Sequence, residues 1–269
     1  MSIAVVFPGQ GSQNKDMADS FGDVSSFNDV IDQGSEILNY DVREAIKNEQ
    51  KINDTIYTQP LLLTISYAMW DTLIKKTSIK AHIGAGHSLG EYTALVANNT
   101  LSFSDALMLV KKRAEFMSSA MVDIDGAMAA VIGLDGNKVK DICKEASKDG
   151  AIIEAVNFNC PSQTVIAGHS VAVEDISPVL KTSGAKIVKK LPVSLAAHTS
   201  LLKSVSNELR DELKGINFNL DNSFDVIHNY DLSVSKNEER FIDCLSMQVC
   251  SPVRWIETMK TFKNNDISD

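Results

Sequence analysis

Gly86-His87-Ser88-Leu89-Gly90 sets a hydroxyl two residues from a glycine on either side, the G-x-S-x-G pattern of a nucleophile elbow. The spacing has a steric cause. A serine on a strained strand-to-helix turn needs close neighbours without a Cβ, because the backbone there is crowded. The flanks fit: Ile83 to Gly86 is strand-like, and Tyr92 to Ala97 is a helical run without Gly or Pro. Such a turn lifts the hydroxyl clear of the sheet. It also sets the hydroxyl near a helix N-terminus, where free N–H groups favour developing negative charge.

A serine nucleophile needs a base, most often histidine. Of the five histidines, His87 adjoins Ser88 and should point elsewhere, and His82 begins the elbow strand at its far end. His169 lies in a Gly168-His169-Ser170-Val171-Ala172 turn that lacks the closing glycine of an elbow, and His228 ends a late strand. His198 lies where a strand-like run gives way to a helix, and it follows Ser88 in the chain, as the base does in α/β-hydrolases. His198 is therefore the candidate base. No carboxylate stands out as a third member, which leaves a backbone carbonyl open as the partner of the imidazole.

A third candidate is Arg113. Ala106, Val110, Ala114, Met117 and Met121 recur at three- and four-residue steps along a helix from about Ser104 to Met121. Arg113 falls on or beside that apolar face, while Lys111 and Lys112 point away. Arginines are rarely buried unless paired. Spacing alone leaves two readings, a ligand partner or a side chain snorkelling from the edge of the stripe.

These residues must be positioned by a sheet and its helices. Ile3 to Phe7 predicts the first strand of a parallel sheet. Pro8-Gly9-Gln10-Gly11-Ser12-Gln13 follows it. A phosphate cradle fails there, since no G-K-[ST] is present and G-x-G-x-x-G would need glycine at Asn14. A tight turn offering backbone N–H groups remains, a fitting place for an oxyanion-hole donor. Ser25 to Gln50 reads as helical pieces, and Tyr57-Thr58-Gln59-Pro60 opens another helix with Pro60 in its first turn. Between Gly126 and Leu195 the pattern becomes strand (127–134), helix (137–148), strand (151–156), strand (163–167), helix (170–181), strand (185–193). That is a ferredoxin-like unit inserted into a larger domain. Beyond it come a helix to about Lys214, a strand at 224–228 and a helix at 238–247. Ser251-Pro252 should open a last helix, and the end is polar through Asn265 and Asp266.

The 269 residues suit a large domain with a smaller one inserted. Net charge is −9 and the pI near 5.1, which argues against nucleic-acid binding and requires a local cationic pocket for any anionic ligand. The N-terminus shows no signal-peptide pattern. The longest apolar-looking run, Pro60 to Trp70, contains Thr64, Ser66 and Tyr67 and is too short for a bilayer. Four cysteines without a C-x-x-C pair read as reduced thiols of a cytoplasmic protein, and metal-ligand spacing is absent.

Taken together, the chain resembles the malonyl-CoA:acyl carrier protein transacylases of bacterial type II fatty-acid synthesis, over nearly its whole length. The resemblance rests on Phe7 to Gln13, Thr58-Gln59-Pro60, Gly86 to Tyr92, Arg113 with Phe116-Met117, and Gly126 to Ala130. It continues through Val156-Asn157, Pro192-Val193-Ser194 with His198, and Gln248 before Ser251-Pro252-Val253-Arg254-Trp255. It implies an α/β-hydrolase-like large domain (1–125 and 196–269) carrying a ferredoxin-like small one (126–195). It implies that Ser88 takes the malonyl group as an ester and that His198 is base and then acid. Backbone N–H groups of Gln10 and Leu89 would form the oxyanion hole. Arg113 would pair with the malonate carboxylate, and the carbonyl of Gln248 would orient His198. Gln59 and Asn157 would line the pocket. Malonyl-CoA and acyl carrier protein are the implied partners of a cytoplasmic monomer that uses no cofactor, no membrane and no nucleic acid. Family members continue with another strand and a Gly-Pro-Gly turn, so the resemblance also implies that the C-terminal end of the large domain is missing after Asp269.

Two other functions fit parts of the pattern. A serine thioesterase or esterase uses the same Ser88 and His198 but has no use for an arginine in the acyl pocket. A non-catalytic carrier-binding module has no use for the serine and histidine. Lys181, Lys186, Lys189 and Lys190 form a basic cluster close in sequence to His198, either a docking patch for anionic partners or a solvated surface run.

Overall fold

The computed structural model describes residues 2–147, 150–264 and 267. The fold is α/β, with a parallel sheet and helices around it. β1 (Ala4–Phe7) is followed by α1 (Ser25–Leu38), α2 (Val42–Lys47), α3 (Glu49–Asn53) and the long α4 (Thr55–Lys76). β2 (Ile83–Gly86) leads into α5 (Gly90–Ala97) and α6 (Phe103–Ser119). After a second group of elements, the chain returns through α9 (Lys203–Leu213), β7 (Asp225–Ile227), α10 (Glu238–Gln248) and α11 (Trp255–Asn264). β1, β2 and β7 lie side by side in that order, all parallel, with Phe7 paired to Gly86 at the end that bears the elbow. No helix of the described residues is long and apolar enough to cross a membrane.

The second group is β3 (Gly126–Ile132), α7 (Gly136–Ala146), β4 (Ile153–Cys160), β5 (Gln163–His169), α8 (Ser170–Thr182) and β6 (Ile187–Lys190). Its strands form an antiparallel sheet in the order β4-β5-β3-β6, with its own apolar core of Val131, Val139, Ile153, Ile166, Val173 and Leu180. The register between β4 and β5 shifts at Ala155/Asn157, so Val156 is an extra residue in β4. Ile153 and Ala155 therefore pack in this core, Val156 joins the larger one, and Phe158 returns to the smaller. The outer edge of β4 is covered from the large part of the chain. Val253 N–H donates to the Val156 carbonyl (2.8 Å), and Phe158 N–H donates to the Val253 carbonyl (3.0 Å).

Three expectations need correction. α4 starts at Thr55, because the Asp54 carboxylate caps the Ile56 N–H; Pro60 lies inside the helix rather than in its first turn. Ser251-Pro252 opens no helix: Val253 is drawn into the bridge with β4, and α11 starts at Trp255. β6 is shorter than the predicted strand, since its pairing to β3 covers only Ile187 to Lys190. Lys148, Asn265 and Asp266 lie outside the described residues.

Candidate active site

Ser88 occupies the turn between β2 and α5 with φ of 53°, the left-handed region that a side chain enters only when its surroundings force it. The flanking glycines are steric requirements. A Cβ on Gly86 would lie 1.8 Å from the Gly90 carbonyl carbon, and one on Gly90 2.3 Å from the Phe7 carbonyl oxygen. Asn229 clamps the turn at both ends. Its Oδ1 accepts from the Ser88 N–H (2.7 Å), and its Nδ2 donates to the Gly86 carbonyl (2.7 Å).

His198 is also left-handed, with φ of 64°, and its backbone N–H donates to the Val249 carbonyl (3.0 Å). Its Nδ1 lies 2.9 Å from the Gln248 carbonyl oxygen and its Nε2 2.8 Å from Ser88 Oγ. A carbonyl can only accept, so Nδ1 carries the proton in the neutral ring and Nε2 accepts from the Ser88 hydroxyl. Burial, and then the charge of Arg113, hold the His198 pKa down to about 3. The imidazole is therefore neutral throughout the physiological range, with Nε2 unprotonated.

Arg113 is 1% exposed. Its Nη1 donates to Gln59 Oε1 (2.6 Å), and its Nη2 donates to Gln248 Oε1 and to Ser88 Oγ (both 3.0 Å). Its guanidinium carbon stands 5.6 Å from the centre of the Tyr92 ring, a cation–π contact. Burial works against this charge; Tyr92 and Glu91 support it. Every direct hydrogen-bond acceptor of the guanidinium is a neutral group, although buried arginines ordinarily meet a carboxylate. Snorkelling is excluded by the burial.

A cavity of about 350 Å3 opens over these groups, lined among others by Gln10, Gln59, Leu89, Arg113, Asn157 and His198. Asn157 points a buried Oδ1 without a hydrogen-bond partner. Gln10 lines the cavity, and its side-chain Nε2 donates to Thr55 Oγ1 (3.0 Å). Leu89 sits at the N-terminal end of α5. A wider groove of about 710 Å3 shares Asn53, Pro192, Val193 and Leu195 with the cavity and runs between the two groups of elements.

The model of the acyl transferase domain family matches residues 4–264. This chain belongs to that family. It is 38% identical over 261 residues to the malonyl CoA-acyl carrier protein transacylase of Escherichia coli K12, covering 96% of this chain and 84% of that one. The crystal structure of an acyl-carrier-protein S-malonyltransferase from Burkholderia pseudomallei superposes with a TM-score of 0.95 at 40% identity, covering 100% of this chain and 87% of that one. A malonyl-transacylase solved in complex with a type II PKS acyl-carrier protein gives a TM-score of 0.95 at 36% identity over 99% of this chain and 87% of its own.

This acyl transferase holds a second layer beneath the elbow that the sequence reading missed. Glu91 is fully buried, and its carboxylate accepts from His228 Nδ1 (2.6 Å), the Asn229 N–H (3.0 Å) and Gln248 Nε2 (2.7 Å). His228, read from sequence as the end of a strand, is thus the buried partner of Glu91 and of Ser235 Oγ (2.7 Å). A signal was present: Glu91 is the single charge in the run from Gly90 to Ala97, all of which is buried. An acid in a first helical turn is ordinary for dipole reasons, and that masked it. His87 also found an unforeseen partner, with Nε2 2.9 Å from Asn159 Oδ1 on β4.

Proposed function

We propose that this protein is a malonyl-CoA:acyl carrier protein S-malonyltransferase that works by a ping-pong serine mechanism. The observation that carries the reading is Arg113, a buried guanidinium beside the Ser88 hydroxyl with neutral direct partners. A planar guanidinium meets a carboxylate through two parallel hydrogen bonds, and malonyl differs from acetyl by one carboxylate.

In the first half-reaction Ser88 Oγ attacks the thioester carbonyl while its proton passes to His198 Nε2. Backbone N–H groups of Gln10 and Leu89 receive the oxyanion. The C–S bond breaks, and His198 gives its proton to the departing coenzyme A thiolate, leaving malonyl esterified to Ser88. In the second half-reaction the phosphopantetheine thiol of the carrier gives its proton to His198 and attacks the ester. The ester C–O bond then breaks and the proton returns to Ser88 Oγ. The carbonyl of Gln248 steadies the imidazolium in both halves. Burial is the main cause of the low His198 pKa, and a substrate carboxylate on Arg113 offsets the smaller share that the guanidinium charge contributes. Gln59 holds the guanidinium, and Asn157 offers an acceptor to the acyl or pantetheine chain. No cofactor is needed for these steps. The 710 Å3 groove suits a pantetheine arm.

In this reading residues 1–125 and 196–269 form an α/β-hydrolase-like catalytic domain and residues 126–195 a ferredoxin-like small domain. The strand order β4-β5-β3-β6 supports the second label. The test is the intact mass of the protein after brief exposure to malonyl-CoA or acetyl-CoA. A malonyl ester on Ser88, formed in preference to acetyl and discharged to carrier thiol, is expected. An ester discharged to water instead would favour a thioesterase.

A further inference from the structure

Gln248 is bonded on both sides of its amide, and the two sides are not interchangeable. Its Nε2 carries two protons and meets two oxygens, the Ser88 carbonyl (3.0 Å) and Glu91 Oε2 (2.7 Å). Its Oε1 accepts from Arg113 Nη2 (3.0 Å). Turning the amide over would set Oε1 against a carboxylate and a carbonyl, and the amide hydrogens against guanidinium hydrogens. Glu91 decides the matter. Its carboxylate has only donors around it, and His228 Nδ1 and the Asn229 N–H hold it in place. The backbone carbonyl of the same Gln248 orients His198, and that bond does not depend on which way the amide faces.

We propose that Glu91 is a positioning residue for acyl selection: by fixing the Gln248 amide it aims Arg113 at the acyl carboxylate. The proposal rests on the reading of Arg113 as partner of that carboxylate. The chain of contacts is one-directional in chemistry. Carboxylate requires amide N–H, amide oxygen then faces the guanidinium, and the guanidinium is held by Gln59 at Nη1 and by Gln248 and Ser88 at Nη2. Losing the carboxylate frees the amide to turn, puts donor against donor at Arg113, and tilts the guanidinium away. Acetyl loading uses the same Ser88, His198, Gln248 carbonyl and oxyanion N–H groups but brings no carboxylate for Arg113 to pair with, so it serves as the reference for the shift.

The experiment measures rapid-quench loading of Ser88 from malonyl-CoA and from acetyl-CoA. In Glu91→Gln, malonyl loading should fall by about 10- to 100-fold relative to acetyl loading, the size of one lost charge-assisted hydrogen bond. Gln248→Leu, which keeps the backbone carbonyl, should show the same shift in preference, and the double variant should show no further shift, because both act through one contact. Glu91→Asp withdraws the carboxylate by one methylene and should show the shift in smaller form, which covers the case where Glu91→Gln does not fold. Equal losses for both acyl groups, or additive shifts in the double variant, would overturn the proposal. Arg113→Ala separates the two levels of inference. If it lowers malonyl and acetyl loading alike, the carboxylate reading of Arg113 has failed. If it is malonyl-selective and the Glu91 variants are not, only the role of Glu91 has failed.

Discussion

Two serine–histidine pairs lie within a short reach of each other in this molecule. Ser88 and His198 meet at 2.8 Å, with a backbone carbonyl on the other ring nitrogen. Ser235 and His228 meet at 2.7 Å, with the Glu91 carboxylate at 2.6 Å on the other side. By composition the second is nearer to a Ser-His-acid triad. Yet Ser235, His228 and Glu91 are each 2% exposed or less, and none of them lines the cavity around Ser88. Ser235 is not in the left-handed region and has no cavity in front of it for a carbonyl; Ser88 has both. Hydrogen-bond geometry within a triad is thus insufficient; access, backbone strain and a place for the oxyanion make one serine a nucleophile and leave the other as structure.

The sharpest way to break this contrast is to delete each serine in turn. Ser88→Ala should lower the chemical step by several powers of ten and abolish the malonyl ester seen by mass, since serine and histidine act as a unit. Ser235→Ala should leave ester formation on Ser88 in place. A malonyl ester on Ser235 in the first variant would reverse the assignment. Next in size is Arg113→Ala, which should cost malonyl loading about 2–5 kcal/mol more than acetyl loading, the range for removing one member of a buried charge pair.

The third test titrates His198. The folded pKa of His198, about 3, is depressed below the ordinary 6.5, so the unfolded chain binds the extra proton between those values. The corresponding stability is complete above pH 6.5 and is lost as pH falls toward 3. His198→Gln should flatten that part of a melting-temperature curve; an unchanged slope would locate the effect elsewhere. The smallest effect concerns docking. Lys186, Lys189 and Lys190 are exposed at the edge of the second sheet, and the chain then runs straight into cavity-lining Leu191, Pro192 and Val193. Lys190 is already paired with Glu174 (2.8 Å), which leaves Lys186 and Lys189 as the freer charges. Changing all three to Glu should slow transfer to carrier protein a few-fold at low salt and flatten its salt dependence, with loading from malonyl-CoA less affected. A normal transfer rate at low salt would send the search for the dock to the large part of the chain.

The elbow, Arg113 and His198 were legible because each has a local signature: glycine spacing, a charge on an apolar stripe, a histidine at a strand-to-helix junction. Glu91, His228, Asn229 and the Gln248 side chain were not. Their contacts join α5 to segments far along the chain, and no local pattern says which buried polar groups will face one another. α4 starts earlier than Pro60 suggests because the Asp54 side chain, which has no mark in the apolar pattern, caps it three residues upstream of Tyr57. The opening of α11 was misplaced because Ser251-Pro252 looks like a helix start, while pairing of Val253 to β4 is a tertiary event.

That pairing has a consequence for the order in which the molecule assembles. β4 meets β5 across a tight hairpin, a contact available as soon as both strands exist. Its other edge waits for Val253, which belongs to the stretch just after Gln248. Closing a long loop is slow compared with forming a hairpin. The extra residue Val156 therefore sits on a seam between an early-formed strand pair and a late one. Ser88 comes from the first third of the chain, β4 from the middle third, and the base, its carbonyl support and Val253 from the last third. The catalytic arrangement can exist only after the slowest of these encounters, so recovery of acyl loading on refolding is a clock for the completed fold rather than for its first collapsed forms.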